Sequence, residues 1–102
     1  MLNALKQLFG LGPSVDYKAL IEAGAVILDV RSPSEYKGGH AHGAVNLPLD
    51  RISEYPKKQK DKDQVIITCC ASGMRSGSAR SALQSAGFKN VHNGGPWQKV
   101  NF

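Results

Sequence analysis

Gln64–Ser76 reads "QVIITCCASGMRS": a short β-branched run, two adjacent cysteines, and a glycine-containing loop that ends on arginine and serine. The run "QVIIT" (64–68) is the pattern of a strand buried on both faces of a parallel sheet. Beyond the loop, Ala79, Ala82, Leu83 and Ala86 recur at i, i+3, i+4 and i+7, a helix stripe that Gly87 is placed to stop. In open α/β sheets, ligands gather beyond the carboxyl ends of the strands, which is where this loop falls.

The same alternation continues on either side. "AVILDV" (25–30) is a second apolar, β-branched run, preceded by "YKALIEA" with Asp16 as N-cap and Gly24 as stop. Ser34 is placed to cap a short helical turn through Tyr36, and "GGHAHG" (38–43) reads as loop. "AVNLP" (44–48) is a short strand, followed by a weak helix around Arg51 to Tyr55. "NVHN" (90–93) is a last strand, with "GGPWQKV" (94–100) as a terminal turn or helix. Strands and helices in this alternation predict an α/β domain with a central, mainly parallel sheet flanked by helices. There is no repeat, linker or low-complexity block.

A chain of 102 residues has room for one modest core. A single domain over 13–102 is expected, preceded by an N-terminal extension over 1–12. In that extension Leu2, Leu5, Leu8 and Phe9 form one face of a short amphipathic helix, ended by Gly10 and Gly12. Lys6 and Gln7 interrupt its apolar run, and it lacks a convincing small-residue cleavage site, so it does not read as a signal peptide. No run approaches transmembrane length, and no stable membrane insertion is expected. The net charge is +5. Part of it lies in "KKQKDKD" (57–63), where acids alternate with bases as in a solvated loop, and no basic face with interleaved aromatics marks a nucleic-acid binder. A mild positive field would help to recruit small anions.

The two cysteines cannot build a disulfide framework, because a bridge between sequence neighbours is strained and closes almost no loop. With no C-x-x-C pair, and with His40, His42 and His92 away from ligand spacing, no metal site is expected. Free thiols fit a reducing compartment, so the cytoplasm is favoured. A tight glycine-containing loop running into a helix offers converging N–H groups and the positive end of the helix dipole. A thiol there ionises more readily than a free cysteine, whose pKa is ~8.5, and a fall of two units is worth about 2.7 kcal/mol. The loop thus favours a nucleophile, against the structural alternative of two small buried hydrophobes.

Two registers compete for it. Counted from Cys69, the loop is C-x5-R, the signature of tyrosine and dual-specificity phosphatases, or of an arsenate reductase. Counted from Cys70, "CASGMRS" resembles the C-x-x-G-x-R-[ST] active loop of the rhodanese-like sulfurtransferases. "LDVRSPSEYKGGHAHGAVNLP" looks like that family's early signature, and "SALQSAGFKNVHNGG" followed by "W" is similar to its closing segment. The likeness runs from about Val15 to Trp97, with the motifs in family order. Thr68 stands where such phosphatases usually carry histidine, and Gly73 falls where the six-residue loop expects it. Cys70 is therefore favoured.

The resemblance implies the rhodanese-like fold and a sulfur transfer through a Cys70 persulfide. A small anionic donor such as thiosulfate loads the cysteine, and a thiol, protein persulfide or cyanide unloads it, with no cofactor. Ala71, Ser72, Gly73, Met74, Arg75 and Ser76 would supply the cradle, Arg75 by holding the donor's sulfonate or bracing the loop. A sulfur-relay or partner-binding module without turnover is the alternative outside catalysis. Asp29 and Arg31 are expected to tie loops together, with an ion pair to Glu35. His40 is expected to scaffold its loop, His42 to face solvent and Trp97 to pack on the sheet. The family "GHI" is "GHA" here, leaving a smaller residue at Ala41. Cys69, where nothing carries over from the family, should point away from Cys70 as its strand neighbour. Its functional alternative is a resolving thiol. The oligomeric state stays open.

Overall fold

The computed structural model describes residues 15–102, and the amphipathic helix expected over 1–12 lies outside them. Four parallel strands form the sheet: β1 (Val26–Asp29), β2 (Val45–Asn46), β3 (Ile66–Cys70) and β4 (Val91–Pro96), in the order β2-β1-β3-β4. The α/β, parallel-sheet reading is thus what the structure has. Helices α1 (Tyr17–Glu22), α2 (Pro33–Lys37), α3 (Tyr55–Lys58) and α4 (Met74–Ser85) connect and flank the strands. Two short 3-10 helices, Leu49–Glu54 and Trp97–Val100, complete the chain.

The sheet is covered on both sides because its strands carry apolar residues at successive positions. One face gathers Leu28, Val30, Ile66, Cys70 and Val91 against Ala79, Leu83, Ile52 and Phe88. The other gathers Ile27, Ile67 and Cys69 against Ala41, Ala44 and Val100, with Tyr17, Leu20, Ile21 and Trp97 packed around them. Ile66 and Ile67 are fully buried on opposite faces. Each such side chain is worth roughly 1.5–3 kcal/mol relative to exposure. Among the described residues, no helix is long and apolar enough to cross a membrane.

Local signals account for most of the boundaries. Asp16 caps α1, its carboxylate accepting from Ala19 N–H at 3.0 Å. The cap of α2 is Ser32, not Ser34 as expected. "SPSE" is a capping box in which Ser32 Oγ accepts from Glu35 N–H and Glu35 accepts from Ser32 N–H, with Pro33 opening the helix. The first turn of α4 begins at Met74, earlier than the expected start after Ser76, so Met74, Arg75 and Ser76 are helical. Its buried stripe is Ser76, Ala79 and Leu83, while Ala82 and Ala86 face solvent. That helix crosses the sheet along a narrower line than the apolar count implied. Gly87 ends it with φ +102°.

The last strand also differs from expectation. "GGP" (94–96) does not turn away but continues β4 to Pro96. Thr68 pairs with Asn93 and Cys70 with Pro96, so β4 spends one residue more than β3 over this span. That is a β-bulge beside the cysteine loop, with Gly95 at φ +75° supplying a backbone other residues resist. Gly94 is there for space: a Cβ on it would lie 2.8 Å from Ile67 Cγ2 and 3.0 Å from the Thr68 carbonyl oxygen.

Candidate active site

Cys70 ends β3 and Gly73, at φ 104°, starts α4, so only Ala71 and Ser72 lie free between strand and helix cap. The left-handed backbone at Gly73 aims its N–H back at Cys70 Sγ, 2.9 Å away. Ser76 N–H reaches the same sulfur at 3.4 Å, and the Ser76 hydroxyl lies 3.4 Å from it. Of the six loop residues expected to form the cradle, Gly73 and Ser76 make the close contacts with the sulfur, and the Ser72 N–H also acts on it. Ala71, Ser72 and Met74 are exposed at its rim, Met74 with 81% of its surface open.

The electrostatic balance at Cys70 follows from these contacts. Burial raises the thiol's pKa by penalising the charged form. A hydrogen-bond contact with the Ser76 hydroxyl, and hydrogen bonds from the N–H groups of Ser76, Gly73 and Ser72, oppose it, and the net direction is down. Cys69 lies one residue away and fares oppositely. Its side chain enters the other face of the sheet, fully buried. Burial there, together with the Asp29 carboxylate, pushes its thiol up to about 12. The raised pKa makes Cys69 a poorer thiolate than Cys70, which weighs against the C-x5-R register and a resolving role. The two thiols are free, and among the described residues no group of three His, Cys, Asp or Glu side chains could hold a metal ion.

Arg75 does not stand free over the loop. Its guanidinium grips Glu35 of α2 with two bonds, Nη1 to Oε1 at 2.7 Å and Nη2 to Oε2 at 3.0 Å. This fork joins the first turn of α4 to α2 and pairs the Arg75 charge with a carboxylate. The Arg75 guanidinium, helped by Ser32 N–H, holds the Glu35 carboxyl down at about 2. The expected ion pair of Glu35 with the Asp29–Arg31 group is therefore not formed. Arg31 instead closes on Asp29, donating from its backbone N–H, Nε and Nη2, and Nη2 also reaches the Gly39 carbonyl at 2.7 Å. Both residues are buried, and the pair fixes the loop after β1. Its guanidinium lies 5.2 Å from the Trp97 ring, which packs on the sheet as expected.

His40 scaffolds its loop as expected: Nδ1 bonds the Tyr36 carbonyl at 2.8 Å and its ring stacks on Tyr36. His42 is exposed, and Ala41 is fully buried. Three residues escaped the sequence reading. Thr68, considered only for not being histidine, donates its hydroxyl to the Ser76 carbonyl at 2.8 Å and so ties β3 to the start of α4. Asn93 bonds Gly73, Ser76 and Gly95 through its side-chain amide. Glu35, read as a loop tie, is the partner of Arg75. The "SPSE" box was a usable signal for Ser32 and Glu35, and glycines inside a strand pattern are a usable signal for the bulge. No local pattern announces Asn93.

Comparison with known proteins agrees with this fold. A family profile described as Rhodanese-like domain matches residues 14–95. Thiosulfate sulfurtransferase PspE of Escherichia coli K12 is 35% identical over 69 residues, covering 67% of this chain and 66% of that protein. Thiosulfate sulfurtransferase GlpE of Pseudomonas fluorescens is 35% identical over 80 residues, covering 78% of this chain and 72% of its own length. The chain thus spans about two thirds of the length of these curated relatives. Among solved structures, a rhodanese with anions from Escherichia coli superposes with a TM-score of 0.70 at 29% identity, covering 76% of this chain and 92% of the other.

Proposed function

The chain belongs to the Rhodanese-like domain family, and from that premise we propose that it is a sulfurtransferase whose sulfur carrier is Cys70. The thiosulfate sulfurtransferases among its relatives support rhodanese-type sulfur transfer in general. The finer reading is carried by one observation: Cys70 Sγ sits at the carboxyl end of β3 with the N–H groups of Gly73 and Ser76 converging on it.

In the first step the Cys70 thiolate attacks the outer sulfur of thiosulfate. The S–S bond of the donor breaks with its electron pair going to sulfite, and a new S–S bond leaves Cys70 as a persulfide anion. In the second step a thiolate, or cyanide in an assay, attacks the outer sulfur and the Cys70 thiolate is regenerated. The charge never leaves the loop's reach, moving from Sγ to the outer sulfur and back. Fixed N–H dipoles stabilise it in both positions without reorganising. The Glu35–Arg75 ion pair ties the helix that follows the loop to α2. Donor anions are attracted by the helix α4 N-terminus and the loop N–H groups, since the Arg75 charge is already paired.

Thiosulfate:cyanide turnover tests this reading directly. The protein is expected to form thiocyanate, and Cys70→Ser to form none. Hydrolysis of an aryl phosphate that survives Cys70→Ser but not Cys69→Ser would replace the reading with the phosphatase one. Sulfur loading without turnover would assign a relay module instead.

A further inference from the structure

Asn93 lies on β4, outside the Cys70–Ser76 loop, yet its amide touches that loop twice. Nδ2 donates to the Gly73 carbonyl oxygen at 3.1 Å, which fixes which way the amide faces. Oδ1 accepts from Gly95 N–H at 3.0 Å, within the bulge. Its third contact is with Ser76 Oγ at 2.6 Å. A carbonyl oxygen only accepts, so Ser76 must be the donor there. The backbone of Asn93 is itself held, its carbonyl accepting from the Tyr17 hydroxyl of α1 at 3.0 Å.

A serine hydroxyl carries one proton. Committed to Asn93 Oδ1, it leaves Ser76 Oγ facing Cys70 Sγ, 3.4 Å away, with lone pairs alone. That suits a thiol, whose S–H can donate to it, and is wrong for a thiolate. When Cys70 ionises, sulfur becomes a charged acceptor and competes with Oδ1 for the same proton. Turning to sulfur leaves Oδ1 with Gly95 N–H only. In a persulfide the inner sulfur has neither proton nor charge, and the competition reverses.

We propose that Asn93 is a positioning residue for Cys70, acting through the direction of the Ser76 hydroxyl. The hydroxyl points at Asn93 in the thiol and persulfide states and at Sγ in the thiolate. It thus follows the charge as sulfur is loaded and unloaded. The proposal rests on Cys70 as the sulfur carrier. The charged groups near the loop are Arg75 of α4 and Glu35 of α2, paired to each other, and the Asp29–Arg31 pair at the end of β1. His92 precedes Asn93 on β4. None of these side chains is hydrogen-bonded to Ser76 or Asn93.

The test is a double-mutant cycle on the pH profile of Cys70 alkylation by iodoacetamide, mapped by mass. Removing Asn93 has two effects: it frees the Ser76 proton for sulfur and loosens the loop at Gly73. Only the first needs Ser76. The midpoint change caused by Asn93→Ala should therefore lie lower in the wild-type background than in the Ser76→Ala background, by about half a unit to one unit. Equal changes in both backgrounds, or a difference of opposite sign, would overturn the proposal. Asn93→Asp serves if Asn93→Ala does not fold, since it keeps both acceptor contacts. It should raise the midpoint, and less so in the Ser76→Ala background; equal rises would overturn the proposal. Alkylation needs no sulfur donor, so a failed cycle leaves the sulfurtransferase reading standing. Loss of that reading would appear in the turnover assay instead.

Discussion

On one face of the sheet the Cys69 thiol lies among Ile27, Ile67 and Val100 beside a buried carboxylate; on the other, Cys70 lies under a loop whose N–H groups are aimed at its sulfur. The residues are identical and adjacent, and both are fully buried. Solvent exposure alone therefore does not separate them. A clear difference is hydrogen bonding to the charged form: present at Cys70, it outweighs desolvation, and missing at Cys69, it leaves desolvation and Asp29 opposed only by the Arg31 charge. The alternation of a strand created two environments, and the loop after β3 made one of them suited to a thiolate.

Exchanging the thiols one at a time is the strongest way to break that contrast. Cys70→Ser should lower thiosulfate:cyanide turnover by on the order of 10³-fold or more. Cys69→Ala should leave turnover within about twofold, because the site on the other face keeps all its donors. A large loss from Cys69→Ala alone would erase the distinction.

Removing the aim of the donors comes next. Gly73 has φ +104°, and a Cβ there would also meet Gly95 Cα at 3.4 Å. Gly73→Ala should cost about 1–2 kcal/mol of stability in urea titration. Turnover should fall roughly 10-fold or more as the N–H swings away from sulfur. Unchanged kinetics would mean that this N–H contributes nothing at Cys70.

Glu35→Gln loosens the loop from the side and should reduce turnover by about threefold to tenfold. Its pH signature is specific. The Glu35 carboxyl has its pKa depressed to about 2 by Arg75 and Ser32. A depressed carboxylate contributes stability above its unfolded pKa of about 4.3 and loses it as pH falls towards the folded value. The difference in Tm between wild type and Glu35→Gln should be constant near neutrality and close between about pH 4 and pH 2. A difference that persists below pH 2 would contradict the pairing. Smallest is the packing cost of Cys69→Ala, about 1 kcal/mol in the same titration, the signature of a small buried filler.

The legible parts of this molecule are those written over a few consecutive residues. "QVIIT" and "AVILDV" declare buried parallel strands through their own composition, and C-x-x-G-x-R-S declares a loop whose turn needs Gly73. The parts that escaped join residues far apart. Arg75 finds Glu35 across 40 positions and Gly73 finds Asn93 across 20. Periodicity carries no information about such partners. The bulge at Gly94 and Gly95 escaped for a different reason: paired glycines read first as a turn, and only the packing of Ile67 and Val100 over Gly94 shows a strand position that must carry no side chain. Ser32 was missed although "SPSE" spelled out its capping box, because the helix begins only two residues before the turn that Ser34 would have capped.

The central claim is that sulfur rides on Cys70 and on no other residue, and intact-protein mass spectrometry after thiosulfate treatment tests it. Wild type and Cys69→Ala are expected to gain the mass of one sulfur atom and to lose it on addition of cyanide, while Cys70→Ser gains none. A Cys70→Ser protein that still takes up a cyanide-labile sulfur would contradict the account.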